Sequence, residues 1–169
     1  MKDHSLGHNE LKWLTAQIGG KPILRTVQLR NGTDFDKTQI QAGGREYAQY
    51  EGFTLQEVSY AKLTGNSDEV AIVVLTYHTG GTQTTNYVYL YAFEAGKPKL
   101  LAYCHTGDRA YFGLHKVYDE RGTLVFELFD PKKRQGDCCS SGIVRTCYRW
   151  AGGRFMHVGS SEELPLKEP

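Results

Sequence analysis

The chain has 169 residues, a length typical of one domain, and a globule of that size buries roughly 70% of its unfolded surface. Its 20 basic and 19 acidic side chains nearly cancel, so the net charge attracts neither nucleic acid nor an anionic membrane, and we expect no nucleic-acid partner. The 19 glycines and 11 tyrosines against two methionines favour short aromatic strands joined by tight turns, which predicts a mainly β fold.

The amino-terminal segment carries the one helical pattern. Residues 8–18, HNELKWLTAQI, space Leu11, Leu14 and Ile18 along one face, with Asn9 at the cap position. Gly19-Gly20 then ends the helix. We predict a helical lead-in over residues 1–20, a single β domain over 21–160 and a tail over 161–169.

From residue 21 onward the apolar pattern has a period of two, and glycine-bounded segments recur about every ten residues. Gly96, Gly122 and Gly152-Gly153 occupy positions where hairpin turns favour positive φ. Strands are predicted at 22–30, 36–41, 53–63, 69–78, 84–94, 98–106, 112–119, 123–129, 142–151 and 154–158. Consecutive strands should therefore pair as a single antiparallel meander, forming a strongly curved sheet, a sandwich or a barrel.

The segments 69–78 and 84–94 are apolar on both faces, so something must cover each side of this part of the sheet. Tyr87, Tyr89 and Tyr91 share one face, and the tyrosines are too numerous for all of them to be core. With Tyr111 they form a candidate surface for a protein, peptide or glycan, although packing explains any single one of them. A second hypothesis is a β-barrel that carries an apolar ligand.

The sequence GDCCSSG contains two adjacent cysteines, Cys138 and Cys139. Adjacent side chains point to opposite sides of an extended chain, which disfavours zinc, and no predicted helix follows to activate a thiol. This leaves a structural role in disulfide bonds, which persist in an oxidising compartment. Of the three pairings, we favour Cys104 with Cys147 between strands and Cys138 with Cys139 as a vicinal bond, while the two crossed pairings stay open.

A polar cluster follows the strand 98–106, where CHTGDRAYFG contains His105, Asp108 and Arg109. Together with His78 these residues suggest a small hydrolase as an alternative function. Ordinary turn chemistry also explains them, and motifs for a nucleophile elbow, a zinc helix or a phosphate loop are absent from the sequence. We therefore expect no catalysis, no cofactor and no meeting of His78 with His105 in one pocket.

Three stretches, VSYAKLTGNSDEVAIVVLTYHTGG, LLAYCHTGDRAYFGL and GDCCSSGIVRTCYRWAGGRF, resemble a group of uncharacterised bacterial exported proteins, some of them lipoproteins. The resemblance covers roughly residues 53–155. It implies an extracytoplasmic β domain and no particular activity. We accordingly expect a location in the periplasm, cell envelope or secreted space, a signal segment replaced at Met1, a lipid anchor on the precursor and no membrane span.

The stretch 62–74, KLTGNSDEVAIVV, also resembles a degenerate calcium loop of the FG-GAP or VCBS type. Lys62 stands where that pattern has its first ligand, and only Asn66 and Asp68 provide side-chain oxygens. Calcium takes six to eight oxygen ligands. We expect a hairpin loop here and no metal.

Overall fold

The computed structural model describes residues 27–136 and 139–166 of the chain. These residues form antiparallel sheets, which confirms the predicted mainly β class. The predicted helix at 8–18 lies outside the described residues. Among the residues described, none belongs to a helix long and apolar enough to cross a membrane.

The first sheet has five strands that follow the chain in order. They are β1 (Thr33–Ala42), β2 (Arg45–Ala61), β3 (Val70–His78), β4 (Thr84–Glu94) and β5 (Lys97–His105). Every strand pairs antiparallel with its predecessor, as the predicted meander requires. The sheet curls strongly into a half-barrel.

The chain then leaves this sheet. The strands that follow are β6 (Leu114–Glu120), β7 (Thr123–Phe129), the two-residue strands β8 (Arg134–Gln135) and β9 (Cys139–Ser140), β10 (Gly142–Ala151) and β11 (Arg154–Pro165). Four of them form a sheet in the order β11-β10-β7-β6, while β8 and β9 pair only with each other after a 3-10 turn at Pro131–Lys133. The single predicted meander is therefore divided between β5 and β6 into two main sheets, the first sheet (β1–β5) and the second sheet (β11-β10-β7-β6).

Two of the predicted hairpin turns illustrate why the chain reverses where it does. The β4–β5 turn places Ala95 and Gly96 at φ 48° and 75°, and the β6–β7 turn places Arg121 and Gly122 at 53° and 77°. Two consecutive positive φ angles give the turn whose twist matches paired strands. Glycine at the second position removes the steric cost there.

One apolar core lies between the two sheets. Ile72 and Val74 of β3 and Leu90 of β4 meet Phe126 of β7 and Tyr148 of β10, all at most 2% exposed. At about 25 cal/mol per Å² of apolar surface removed from water, this layer is the main stabilising contact between the sheets. Because side chains fill it, the inward apolar face of β3 and β4, on which the carrier hypothesis relied, is used for packing.

The hairpin of β1 and β2 extends beyond the rest of its sheet. β1 pairs with residues 45–54 of β2, whereas β3 pairs only with Gly52–Ala61. Residues 36–50 consequently form a two-stranded ribbon that is mostly exposed. The sequence prediction missed residues 45–52 of β2, because their polar alternation gives no buried face.

The ends of the β domain differ from the prediction. Val27–Leu29, in the predicted strand 22–30, lie outside any strand, and residues 22–26 are not among those described. At the other end β11 continues to Pro165, which pairs with Gly142. The β structure therefore extends beyond the boundary predicted at residue 160.

The predicted bond between Cys104 and Cys147 is wrong, since both residues carry thiols. Cys104 pairs with Val88 in the core, on the side of the first sheet that faces the second. Cys147 pairs with Val125 and lies between the core residues Thr146 and Tyr148, so it faces away from the core. Cys138 lies outside the described residues, and the vicinal bond stays a prediction.

We expect the ribbon to be the least stable part of the first sheet. Isolated two-stranded hairpins are marginal in water, and residues 36–50 have no third strand among the described residues. In amide hydrogen exchange followed by NMR, these amides should exchange orders of magnitude faster than those of Val70–Leu75. Equal protection in the two segments would contradict this and would indicate that the ribbon is covered in solution.

Alkylation should separate the two pairs of cysteines. With the protein denatured in the absence of reductant, iodoacetamide should label Cys104 and Cys147, which carry thiols. If Cys138 and Cys139 form the vicinal bond, they react only after reduction. Peptide mass mapping that finds four labels before reduction would rule the bond out.

Candidate functional site

The three predicted tyrosines of β4 do share a face of the first sheet, the one directed away from the core. Tyr89 stacks with Tyr87 and Tyr91 at ring-centroid distances of 6.5 and 6.3 Å. We name this side the aromatic face; it comprises Phe53, Ala71, Val73, Leu75, Tyr77, Tyr87, Tyr89, Tyr91, Leu100 and Tyr103. Tyr87 and Tyr91 are buried, whereas Tyr111 is exposed on the loop between β5 and β6.

The structure places His78 and His105 on opposite faces of the first sheet. The ring of His78 bonds Thr54 Oγ1 at 3.0 Å, on the side that carries Thr76 and Asn86. His105 pairs with Tyr87 on the aromatic face and stacks on its ring at 4.4 Å. The sheet separates the two imidazoles, so the arrangement of the hydrolase hypothesis is not assembled.

Asp108 and Arg109 belong to the turn that leaves β5. Asp108 Oδ1 accepts a hydrogen bond of 2.9 Å from the Ala110 amide, which closes the turn. Gly107 and Gly113 form an isolated bridge across it, and a Cβ on Gly107 would lie 1.6 Å from the Tyr111 carbonyl oxygen. Backbone packing thus accounts for Asp108, while the exposed Arg109 lines a cavity described below.

The second half of β2 is an open edge of the first sheet. β1 pairs with β2 only as far as Thr54, and a last bond joins the Leu55 amide to Gly32. From Gln56 to Ala61 the described residues offer β2 a single partner strand, β3. We name Gln56–Ala61 the open edge; a β-bulge at Gln56 marks its start.

A cleft of about 490 Å³ separates the open edge from β6. Gln56, Glu57 and Val74 line it from the first sheet, and residues 114–118 with Glu127 line it from the second. β6 is the edge strand of its own sheet and carries a bulge at His115. Two strand edges, each with a bulge, therefore border one cleft.

The wall formed by the second sheet contains an ordered polar group. Tyr118 donates a 2.8 Å hydrogen bond to Glu127, and burial together with this bond raises the pKa of Tyr118 to about 12. The ring of His115 lies 4.0 Å from the other oxygen of Glu127. Burial, and then the charge of Lys116, lower the pKa of His115 against the opposing effect of Glu127.

The first sheet contributes a second polar group. Gln56 Oε1 accepts hydrogen bonds from Thr76 Oγ1 at 2.8 Å and from Asn86 Nδ2 at 2.9 Å. A further cavity of about 280 Å³ is lined by these three residues and by Arg109. It shares Gln56 and Leu114 with the larger cleft and therefore extends it.

Sequence reasoning missed this cleft, although two signals were present. Gln56 interrupts the alternation of a β segment, as a bulge residue does. Glu127 stands alone within the apolar run TLVFELF, and a carboxylate in such a run needs a hydrogen-bonding partner. Neither signal identifies which strand forms the opposite wall of the cleft.

The loop that resembles a calcium site is anchored by apolar packing, since Leu63 is buried in the core. Within residues 27–136 and 139–166, no group of three or more His, Cys, Asp or Glu side chains converges.

Comparisons of the chain with protein-family models, with curated proteins and with solved structures found no match. The resemblance to exported bacterial proteins consequently stays a prediction.

The depressed pKa of His115 predicts an acid-sensitive fold. An unfolded histidine titrates near pH 6.5. Since the folded state holds His115 at a lower pKa, the unfolded state binds more protons just below that pH, and stability falls as the pH falls. Urea denaturation at pH 7.5 and pH 5 should show a smaller loss for His115→Gln than for the unsubstituted chain. Identical losses in the two proteins would contradict this assignment.

Proposed function

We propose that the chain is a non-catalytic binding module that takes an extended polypeptide segment of a partner protein along the open edge. The observation that carries this proposal is the run Gln56–Ala61, which has β3 as its one described partner strand and a cleft beside it. Alternate N–H and C=O groups of such a strand point outward, and a partner backbone is their natural complement.

Apolar side chains on one side of this strand support a protein partner. Leu55, Val58 and Tyr60 lie on the side of the aromatic face, and they are 39%, 41% and 61% exposed. Seven of the ten exposed large hydrophobic side chains of the described residues lie on β1 and β2, namely Phe35, Ile40, Tyr47, Tyr50, Leu55, Val58 and Tyr60. Such a concentration is typical of an interaction surface.

The cleft supports an extended ligand from the other side. Side chains of an added strand alternate between faces, so every second one would enter the cleft beside Glu57, Lys116 and Glu127. Its volume of about 490 Å³ holds several side chains. Because both signs of charge line it, we expect polar or charged residues at alternate ligand positions.

The peptide is preferred over a glycan because the open edge offers backbone groups in the spacing of a strand.

An extracytoplasmic location, with a lipid anchor on the precursor, remains part of the proposal. Its supports are the resemblance to exported proteins and the vicinal bond predicted for Cys138 and Cys139. Cys104 and Cys147 carry thiols and do not support it.

The test uses a random peptide library displayed on phage and panned against the full chain. Selected peptides should lose about tenfold or more in affinity for Tyr60→Ala, since an exposed tyrosine at the centre of an interface is a typical hot spot. Phe93→Ala is the matched control, because Phe93 is 58% exposed on β4, outside this site. Hydrogen exchange of the amides of Val58–Ala61 should slow when the peptide binds.

Two results would overturn the proposal. Peptides that bind Tyr60→Ala and Phe93→Ala equally well would place the site elsewhere on the molecule. A glycan array that yields ligands while the peptide library yields none would show that the partner is a glycan and that the proposed peptide partner is wrong.

A further inference from the structure

The cleft beside the open edge continues, at its Gln56 end, into the smaller cavity of about 280 Å³. We name it the polar cavity, after Gln56, Thr76, Thr84, Asn86 and Arg109 in its lining. Thr76 and Asn86 pair with each other across β3 and β4, and Arg109 comes from the turn that leaves β5. Both sheet and turn therefore contribute polar side chains to one end of the cleft.

An internal network fixes the orientation of the Gln56 amide. Its Oε1 accepts hydrogen bonds from Thr76 Oγ1 and from Asn86 Nδ2, and Asn86 Nδ2 also donates to Thr76 Oγ1 at 2.9 Å. Because Gln56 uses its oxygen for both of these donors, its Nε2 group is left as a donor outside the network.

The polar cavity has more donors than acceptors for them. Gln56 Nε2, the Thr84 hydroxyl and the Arg109 guanidinium have no hydrogen-bond or ion-pair acceptor among the described residues. Of the described side chains that line the cavity, none is acidic. A cation with two neutral donors complements a carboxylate, whose two oxygens accept about four hydrogen bonds.

The direction of β2 decides which end of a bound peptide reaches this cavity. β2 runs from Gln56 toward Ala61, and the polar cavity lies at Gln56. A peptide that pairs antiparallel with the open edge would run in the opposite sense, so its carboxyl end would lie at the cavity. All pairs of named strands in the described residues are antiparallel, and this is the commoner pairing in proteins.

We infer that the partner binds through its free carboxyl terminus. Its last few residues pair antiparallel with the open edge, and its terminal carboxylate is held in the polar cavity by Arg109, Gln56 and Thr84. This inference rests on the proposed function, because it names the part of the partner polypeptide that the open edge takes. An internal segment would leave the donors of the polar cavity without an acceptor.

Two phage libraries of random peptides, panned against the full chain, give the first test. In one library the peptide forms the carboxyl end of a coat protein and ends in a free carboxylate, and in the other it forms the amino end. Binders should come from the first library. Equal enrichment from both, or enrichment from the second alone, would overturn this inference and leave the proposed function standing. Enrichment from neither would contradict both.

The second test uses the enriched peptides, synthesised with either a free carboxylate or an amide at the carboxyl end. The acid should bind the full chain about tenfold more tightly, because the amide lacks the charge that pairs with Arg109. In Arg109→Ala this preference should disappear. Lys62→Ala is the matched control, since it also removes one positive charge but lies just beyond the Ala61 end of the open edge.

Three results of this comparison would contradict the inference. Acid and amide forms that bind the unsubstituted chain equally well would show that the carboxylate is not recognised. An acid preference that survives in Arg109→Ala would place the carboxylate outside the polar cavity. Loss of the preference in Lys62→Ala alone would place it at the other end of the open edge, with the peptide parallel to β2. If binding in these cases still weakens in Tyr60→Ala, the proposed function stands.

Discussion

The pairing of β3 with β4 is the constraint on which the rest of the structure depends. In this pair Ile72 and Leu90 point to one side, while Val73 and Tyr89 point to the other, and all four are apolar. The chain cannot leave either side in water without losing the apolar burial that stabilises the domain. The second sheet covers one side, and the other side is the aromatic face, whose side chains pack in two apolar clusters.

The open edge follows from where β1 begins. β1 starts at Thr33, opposite Thr54, so it protects the first half of β2 and leaves the second half with one described partner. Proteins commonly protect such edges with bulges and charges, and both occur here, at Gln56 and at Glu57. These devices weaken random association of edges, yet Leu55, Val58 and Tyr60 beside them remain exposed. The proposed peptide would cover these exposed apolar side chains while pairing with the backbone of the edge.

The sequence predicted those elements whose pattern is local. β3 and β4 appear almost at their predicted bounds because an unbroken apolar run ends at Gly80-Gly81 and at Gly96. The first half of β2 was missed because a ribbon exposed on both sides carries no apolar alternation. The division into two sheets depends on a bridge between Gly107 and Gly113, and the cleft depends on where β1 begins and on two bulges. Such features arise from long-range pairing, which periodicity does not encode. The same limit explains the wrong pairing of Cys104 with Cys147, since two strand cysteines can lie in different layers.

The open edge and the aromatic face are parts of one surface. Val58 pairs with the half-buried Val73, and Tyr60 pairs with the buried Ala71, so the exposed residues of the edge adjoin the face. A strand added at the edge would lie one strand spacing, about 5 Å, from β2 and would extend the same apolar layer. A peptide bound at the open edge, as proposed, would therefore border the aromatic face along β2, and its side chains on that side would pack against the same apolar layer.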